Sequence, residues 1–159
     1  MDKLGIWVRI DNRLVHGQVI ENWLPYCKAN VLVVANDTLA CDELQQEIVS
    51  LAVSGNVGLV FTPVEKSLET FRNLHRATRP QDLFYLFATC HDAQRAYQSG
   101  LQFKMLNIGN LHYGPGKQQV CEHVALDQTD RDCLRFFQGE GVRLDFRCVP
   151  NKQVQVNLH

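Results

Sequence analysis

The sequence has no marked excess of charge and no apolar run long enough to cross a membrane. Lysine and arginine total 16 and aspartate and glutamate total 17, so the formal net charge is −1. That balance gives no electrostatic reason to expect binding to nucleic acid or to an anionic lipid surface. No apolar stretch approaches the ~18 residues of a membrane-spanning helix.

Several motifs that would mark other classes of site are also missing. The chain contains no G-x-G-x-x-G dinucleotide fingerprint, no P-loop and no G-x-S-x-G of an α/β-hydrolase. No two cysteines have C-x-x-C spacing, and residues 1–5 do not read as the start of a secretory signal. We therefore predict a cytoplasmic protein with reduced core thiols at Cys27, Cys41, Cys90, Cys121, Cys133 and Cys148.

The apolar pattern alternates predicted strands with predicted helices. Strands are predicted at residues 6–10, 31–35, 57–61, 82–88, 104–108 and 142–147, with a short extra strand at 122–125. Helices are predicted at residues 17–24, 41–53, 64–75, 91–98 and 127–138, the first of them ended by Pro25. Such alternation with short connections predicts one α/β domain, residues 1–159, with a mainly parallel sheet covered by helices on both faces.

Three loops of unusual composition follow predicted strands. They are residues 11–17 after the first strand, Asn36 and Asp37 after the second, and the glycine-rich residues 109–116 after the fifth. Functional sites of open parallel sheets form at the carboxyl ends of strands, and right-handed crossovers would bring these loops to one edge. We therefore expect the three loops to converge.

The first loop carries the residues best suited to group transfer. A neutral imidazole at His16 is a good nucleophile near neutral pH, and a phosphoryl group placed on it needs donors. Arg13 would supply a forked, permanently charged donor, and backbone N–H groups of the following helix would supply more. Asp11 would accept a hydrogen bond from the ring or position Arg13, and Gly17 would let the backbone pass close to the phosphate. A surface or helix-capping histidine with a structural Arg–Asp pair would produce the same spacing.

The other two loops permit two interpretations each. Asn36 and Asp37 are typical helix-capping residues, and they would also suit a pocket beside His16. Gly109 and Asn110 would form either a plain turn or part of the same pocket. His112, in that third loop, is a second candidate for the nucleophile or a phosphate donor.

Several segments together resemble a known family. The segment RIDNRLVHGQV (residues 9–19) resembles the active-site loop of IIB components of the mannose/fructose/sorbose class of bacterial sugar phosphotransferase systems. Further similarity lies in VVAND (33–37), DEL (42–44), NIGNLH (107–112) with GK (116–117), VALD (124–127), GV (141–142) and VP (149–150). The Asp-Asn pair at 11–12 and the Gly-Asn pair at 109–110 are most similar to the N-acetylgalactosamine/galactosamine branch.

The resemblance implies a fold, a reaction and a set of partners. The fold would be a three-layer α/β/α sandwich around a mostly parallel sheet. A phosphohistidine on a IIA domain would pass its phosphoryl group to Nδ1 of His16, and from there it would go to a sugar held by membrane IIC and IID subunits. Arg13 would steady the phosphate and Asp11 would match the loop aspartate of the family. The resemblance implies no metal and no diffusible cofactor, and it does not settle the sugar.

Other functions remain open at this level. The same histidine would also suit a phosphorelay that ends on a regulator instead of a sugar. A binding module that holds a free anion without chemistry is a second alternative, and a metal-dependent enzyme is disfavoured because suitably spaced ligands are lacking. A homodimer is a general expectation for a protein of this kind, although the sequence singles out no interface.

Overall fold

Six parallel strands form the central sheet of the computed structural model, which describes residues 3–158. The order across the sheet is β3-β2-β4-β1-β5-β8. These strands are β1 (Trp7–Asp11), β2 (Val31–Ala35), β3 (Gly58–Thr62), β4 (Leu83–Phe87), β5 (Met105–Asn110) and β8 (Arg143–Asp145). A separate antiparallel pair contains β6 (Gln118–Cys121) and β7 (Val124–Leu126). The parallel sheet and the short extra strand near residue 125 were predicted, whereas β6 was not.

Helices cover both faces of the sheet and complete a three-layer α/β/α sandwich, as predicted. They are α1 (residues 17–27), α2 (Asp37–Ala40), α3 (Glu43–Ala52), α4 (Ser67–His75), α5 (Cys90–Gln98) and α6 (Gln128–Gly139). Helices α1 and α2 lie on one face, whose core includes Trp23 and Leu32, and α3 packs against α2. Helices α4 to α6 lie on the other, around Tyr97 and Phe137.

The end of α1 differs from the prediction. Pro25 was expected to stop the helix, but the helix continues through Leu24–Cys27 and ends at Lys28, which adopts a left-handed conformation. The preceding segment Val19–Trp23 is a π-helical turn, in which the N–H of Leu24 donates to the carbonyl of Val19 five residues back. The wide turn changes the hydrogen-bond ladder just before the proline. Pro25 therefore sits in the first turn of a new α-helical segment, where its missing N–H is tolerated.

Helix α3 was predicted, and its apolar residues lie on one face, but that face does not pack on the sheet. Leu44, Ile48 and Leu51 are 66%, 51% and 87% exposed, and no residue of α3 is fully buried. The helix is held instead by a side-chain cap from Asp42 and by a hydrogen bond from Gln46 Nε2 to the Leu39 carbonyl at 2.8 Å. Periodicity alone identified the helix but could not say whether its apolar face was covered.

All six cysteines are free thiols, as predicted. Cys27, Cys90, Cys133 and Cys148 are buried and Cys121 is half-buried. Cys41 is exposed, so the prediction that it is a core thiol is wrong. Its position follows from α3, because residue 41 lies in the turn that leads into this outlying helix.

Strand order decides which loops can meet. Strand β1 lies between β4 and β5, and the backbone N–H of Asn12 donates to the Asn110 carbonyl at 3.0 Å. The loops after β1 and β5 are therefore neighbours. Strand β2 is separated from β1 by the whole of β4, which sets the Asn36–Asp37 loop apart.

Candidate functional site

The loop after β1 is a tight turn that leads directly into α1. The N–H of Leu14 donates to the Asp11 carbonyl at 2.9 Å, and Leu14 has a φ of 55°, in the left-handed region. A side chain in that region costs about 1–2 kcal/mol, which the surrounding contacts must offset. The His16 carbonyl accepts from Val19 and Ile20 N–H groups, so α1 begins immediately after His16. The first-turn N–H groups of α1 consequently lie beside the histidine, without carbonyl partners inside the helix.

One ring nitrogen of His16 is held by Asp11. His16 Nε2 lies 2.6 Å from Asp11 Oδ2. Because an ionised carboxylate only accepts hydrogen bonds, Nε2 must carry the hydrogen and Nδ1 keeps the lone pair of a neutral ring. Within residues 3–158, Nδ1 has no hydrogen-bond partner, and the His16 side chain is 12% exposed. The geometry thus leaves the Nδ1 lone pair available for a reaction.

Asp11 is in turn held by a fully buried arginine. Arg9 and Asp11 have no exposed side-chain surface, and Arg9 Nη2 and Nε donate to Asp11 Oδ2 at 2.9 and 3.2 Å. Arg9 Nη1 donates to Asn107 Oδ1 at 2.7 Å and to the Cys148 carbonyl at 3.2 Å. A buried ion pair is tolerated when its remaining polar groups are satisfied, which is the case here.

The Arg9 guanidinium lies flat between Gly109 and Trp23. A Cβ atom on Gly109 would lie 1.9 Å from Arg9 Cζ, so only glycine fits at that position of β5. On the indole side, Arg9 Cζ is 5.3 Å from the centre of the Trp23 ring, a cation–π distance. Trp23 Nε1 also donates to the Cys148 carbonyl at 2.8 Å. Gly109, predicted to line a phosphate pocket, instead makes room for Arg9 inside the sheet.

The Asp11 carboxylate is kept ionised by its neighbours. Burial alone would raise the pKa of Asp11. The hydrogen bond to His16, the charge of Arg9 and the backbone N–H of Arg13 outweigh that effect and hold the pKa of Asp11 below its ordinary value. Asp11 is therefore an acceptor throughout the neutral range, and His16 keeps the tautomer described above.

Arg13 points into a groove shared with the loop after β5. The Asn110 amide, oriented with its oxygen toward the guanidinium, accepts from Arg13 Nε at 2.9 Å and donates to the His123 carbonyl at 3.3 Å. Beside it is a groove of about 470 Å³. The groove is lined mainly by polar side chains, among them Arg13, Gln18, Asn110, His112 and His123, and it also includes Glu122. Its basic and amide donors suit an anionic group, whereas the Glu122 carboxylate would repel one.

Comparison with known proteins identifies the family. Residues 6–158 match the model of the family described as PTS system sorbose subfamily IIB component. The chain belongs to this family. It is 35% identical over 146 residues to the N-acetylgalactosamine-specific phosphotransferase enzyme IIB component 1 of Escherichia coli K12, covering 91% of this chain and 90% of the relative.

A solved structure and a two-component relative are also similar to this chain. The crystal structure of the IIBSor domain of the sorbose permease from Klebsiella pneumoniae superposes with a TM-score of 0.84 at 30% identity, covering 96% of this chain and 93% of that domain. The mannose-specific EIIAB component of E. coli K12 is 26% identical over 141 residues, with 89% of this chain but only 43% of the relative covered. As its name EIIAB says, that relative combines a IIA and a IIB component.

Membership in the IIB family defines the reaction class. A IIB component accepts a phosphoryl group from a IIA component and transfers it to a sugar, working with IIC and IID partners, so this IIB chain is a phosphotransferase of sugar uptake. None of the helices within residues 3–158 is long and apolar enough to cross a bilayer. In the same range, no three His, Cys, Asp or Glu side chains are grouped as a metal ion would require.

The loop that contains Asn36 and Asp37 does not line the groove beside Arg13. Asn36 accepts from the Leu39 N–H at 2.9 Å and caps α2. Asp37 accepts from the Val64 N–H and from Arg95 Nη1, both at 2.9 Å. Asn36 is thus a helix cap, as one of the two interpretations had it, whereas Asp37 ties its loop to Val64 and Arg95. All three loops lie at the carboxyl edge of the sheet as expected, but this one is two strands away from the loop after β1, because β4 lies between β2 and β1.

The remaining predicted residues lie at the edge where they were expected. His16, Arg13 and Asp11 form one contact network, and Gly17 is exposed in the first turn of α1 with open space around it. His112 is exposed on the groove. Sequence reasoning gave no role to Arg9 or Asn107. The available signal was a charged side chain inside an apolar strand, two positions before Asp11 and therefore on the same side of β1.

Proposed function

We propose that His16 is the residue that carries the phosphoryl group and that Nδ1 is the acceptor atom. The observation that supports this most is the hydrogen bond from His16 Nε2 to Asp11, because it leaves the lone pair on Nδ1. That lone pair attacks the phosphorus of the IIA phosphohistidine in line. The donor N–P bond breaks, and its electron pair returns to the donor imidazole. Transfer to the sugar repeats the displacement with a sugar hydroxyl as the nucleophile.

Arg13 supplies the charge that stabilises the phosphoryl group in this proposal. Its backbone N–H donates to Asp11 Oδ1 at 3.0 Å and its Nε donates to Asn110, so both ends of the residue are oriented. The terminal guanidinium nitrogens remain for phosphate oxygens, and the N–H groups at Gly17 and Gln18 add the start of α1. His112 would be a donor at the rim rather than the nucleophile, because the carboxylate that fixes a ring tautomer lies beside His16.

The sugar that we propose to test first is N-acetylgalactosamine. The E. coli relative at 35% identity carries that sugar in its name, and the Asp-Asn and Gly-Asn pairs of this chain point the same way. Uptake of labelled sugar by cells that carry this IIB with its IIC and IID subunits is the test. Phosphorylation of sorbose or mannose in preference to N-acetylgalactosamine would overturn this assignment while leaving the carrier role intact.

We further propose that residues 1–159 act as one IIB domain in the cytoplasm, at the inner face of the membrane that holds IIC and IID. The match over residues 6–158 and the single central sheet support one functional unit. Homodimer formation stays a prediction, which sedimentation equilibrium over a micromolar concentration range would test.

Intact mass after incubation with phosphorylated IIA tests the carrier role. The measurement is made under mildly alkaline conditions, in which phosphohistidine survives. We expect one added phosphoryl group on the wild type and on His112→Ala, and none on His16→Ala. Label that persists in His16→Ala but disappears in His112→Ala would move the site to His112. No label on the wild type with several IIA donors would favour a non-covalent anion-binding module.

A further inference from the structure

The stripe formed by Leu44, Ile48 and Leu51 on α3 is a large apolar surface that the chain itself leaves uncovered. The three side chains recur at spacings of four and three residues, so they align along one side of the helix. Each is at least half exposed, and exposure reaches 87% at Leu51. Neighbouring exposed aliphatic side chains of this kind are uncommon on a protein without a partner, so such a stripe marks a surface that another molecule covers.

The segment that contains the stripe carries charge of one sign. Between Lys28 and Lys66 the sequence has five carboxylates and no lysine, arginine or histidine. Glu43 and Glu47 precede Leu44 and Ile48, and both are exposed beside the stripe. Asp37, Asp42 and Glu65 complete the acidic set.

Arg95 pairs with two carboxylates of this acidic set, but its charge is already neutralised. Arg95 of α5 pairs with Asp37 at 2.9 Å, with Glu65 at 3.2 Å and with Asp92 at 3.2 Å. Three carboxylates therefore share one guanidinium, and the surface keeps a net negative charge. Its complement is a partner that combines apolar side chains with an excess of lysine and arginine.

This charge selects among the molecules that a IIB component meets. An anionic phospholipid surface would be repelled. A second copy, packed α3 against α3, would bring two acidic surfaces together. The cytoplasmic loops of a membrane protein are enriched in lysine and arginine as a general rule, and no such bias applies to a soluble IIA domain.

We propose that the α3 stripe and its acidic border dock on a basic, apolar cytoplasmic segment of the membrane permease subunits, IIC or IID. This inference rests on the proposed carrier function and adds to it a surface separate from His16. Helix α3 begins near the carboxyl edge of the sheet, because only α2 and the cap residue Asp42 separate it from the end of β2. A permease segment seated along α3 would hold the edge that carries His16 against the sugar site.

Two variants test the docking surface. The first replaces Leu44, Ile48 and Leu51 by glutamine, which preserves helix propensity at sites that are at least half exposed. The second is Glu43→Lys with Glu47→Lys. A matched control carries Glu69→Lys and Asp132→Lys on α4 and α6, two helices that pack in the core around Tyr97. Each protein is titrated in sugar phosphorylation with inverted vesicles that contain the cognate IIC and IID subunits and with phosphorylated IIA in excess.

We expect the apparent KM for the IIB protein to rise about tenfold or more in both stripe variants and to stay within about twofold in the control. Phosphorylation of His16 by IIA, read by intact mass, should be unchanged in all three. An unchanged KM in the stripe variants would overturn the proposal, as would equal binding of the wild type to protein-free anionic vesicles. Equal slowing of the IIA step would assign the stripe to IIA, and wild-type dimers that dissociate in the glutamine variant would assign it to self-association. Absence of label on wild-type His16 would count against the carrier function itself.

Discussion

Two loops at the same edge of the sheet each contain an aspartate beside an asparagine, and the two aspartates have different roles. The loop after β1 places Asp11 between Arg9 and His16, and it leaves one ring nitrogen free. The loop after β2 places Asp37 between Arg95 of α5 and the Val64 N–H, and each of its two carboxylate oxygens accepts one of these hydrogen bonds. Both neighbourhoods lower the pKa of the aspartate. An aspartate with a lowered pKa beside an arginine is therefore not enough to mark a reactive site, and what distinguishes the first loop is a histidine with one ring nitrogen free.

The largest expected contrast is between Asp11→Asn and Asp37→Asn. Asparagine at position 11 can donate to Nε2, so it favours the tautomer with hydrogen on Nδ1 and leaves Arg9 buried without a counter-ion. We expect phosphoryl transfer from IIA to slow about 10²–10⁴-fold, as for other carboxylates that fix a histidine tautomer, and unfolding free energy to fall by about 3 kcal/mol. Rapid-quench kinetics and urea unfolding measure the two effects.

Asp37→Asn is the matched control for that substitution. It removes a half-exposed ion pair, so we expect less than about 1 kcal/mol of destabilisation and an unchanged transfer rate. Comparable slowing in both variants would contradict the distinction between the loops.

Glycines provide a second contrast. Gly109→Ala would place a methyl group within the Arg9 guanidinium, and we expect destabilisation of about 3 kcal/mol with a matching loss of transfer. Gly17→Ala meets open space in the first turn of a helix, and we expect a change within about 1 kcal/mol, in the stabilising direction. Thermal unfolding of both variants decides the point, and equal effects at the two positions would be inconsistent with the packing described for Arg9.

The pH dependence of stability should separate Asp11 from its neutral replacement. The pKa of Asp11 is lowered in the folded state, so its contribution is present above the unfolded value of 3.8 and is lost as pH falls through the folded pKa. Near pH 5, about one unit above the unfolded pKa, Asp11 is ionised in both states and contributes its full share to the stability difference between the wild type and Asp11→Asn. That share should shrink as the pH falls below 3.8. Urea unfolding at a series of pH values measures it, and a difference that keeps growing below pH 3.8 would refute the assignment.

The smallest contrast is between two asparagines. Asn110→Ala frees the Arg13 guanidinium, and we expect transfer to slow about five- to tenfold, the effect of about 1 kcal/mol from one lost hydrogen bond. Asn36→Ala removes the α2 cap and should cost about 1 kcal/mol of stability with normal transfer. Steady-state transfer assays and unfolding curves on both variants separate the roles, and the reverse pattern would place the second loop in the site.

The sequence was most informative where a pattern depended on local chemistry. Strand β2 and the turn at Gly100, with its φ of 115°, follow from residue type, and so does the Asp11–His16 contact, which five-residue spacing across a tight turn allows. The separation of the Asn36–Asp37 loop from the His16 loop was not predicted, because strand order is a tertiary property that no local pattern records. The role of Gly109 depends on Arg9, a hundred residues earlier, and the exposed face of α3 depends on what does not pack against it.

The hydrogen bond from Arg9 to the Cys148 carbonyl joins positions 139 residues apart, and it has a consequence for biosynthesis. His16, Asp11 and Arg9 are translated about 90 residues or more before Asn107 and Cys148, whose amide and carbonyl oxygens hold this arginine. Contacts of such long sequence separation form late, after the cost of closing the intervening loop has been met. Until residue 148 has left the ribosome, a nascent chain therefore has its histidine without the contacts that hold Arg9 against Asp11.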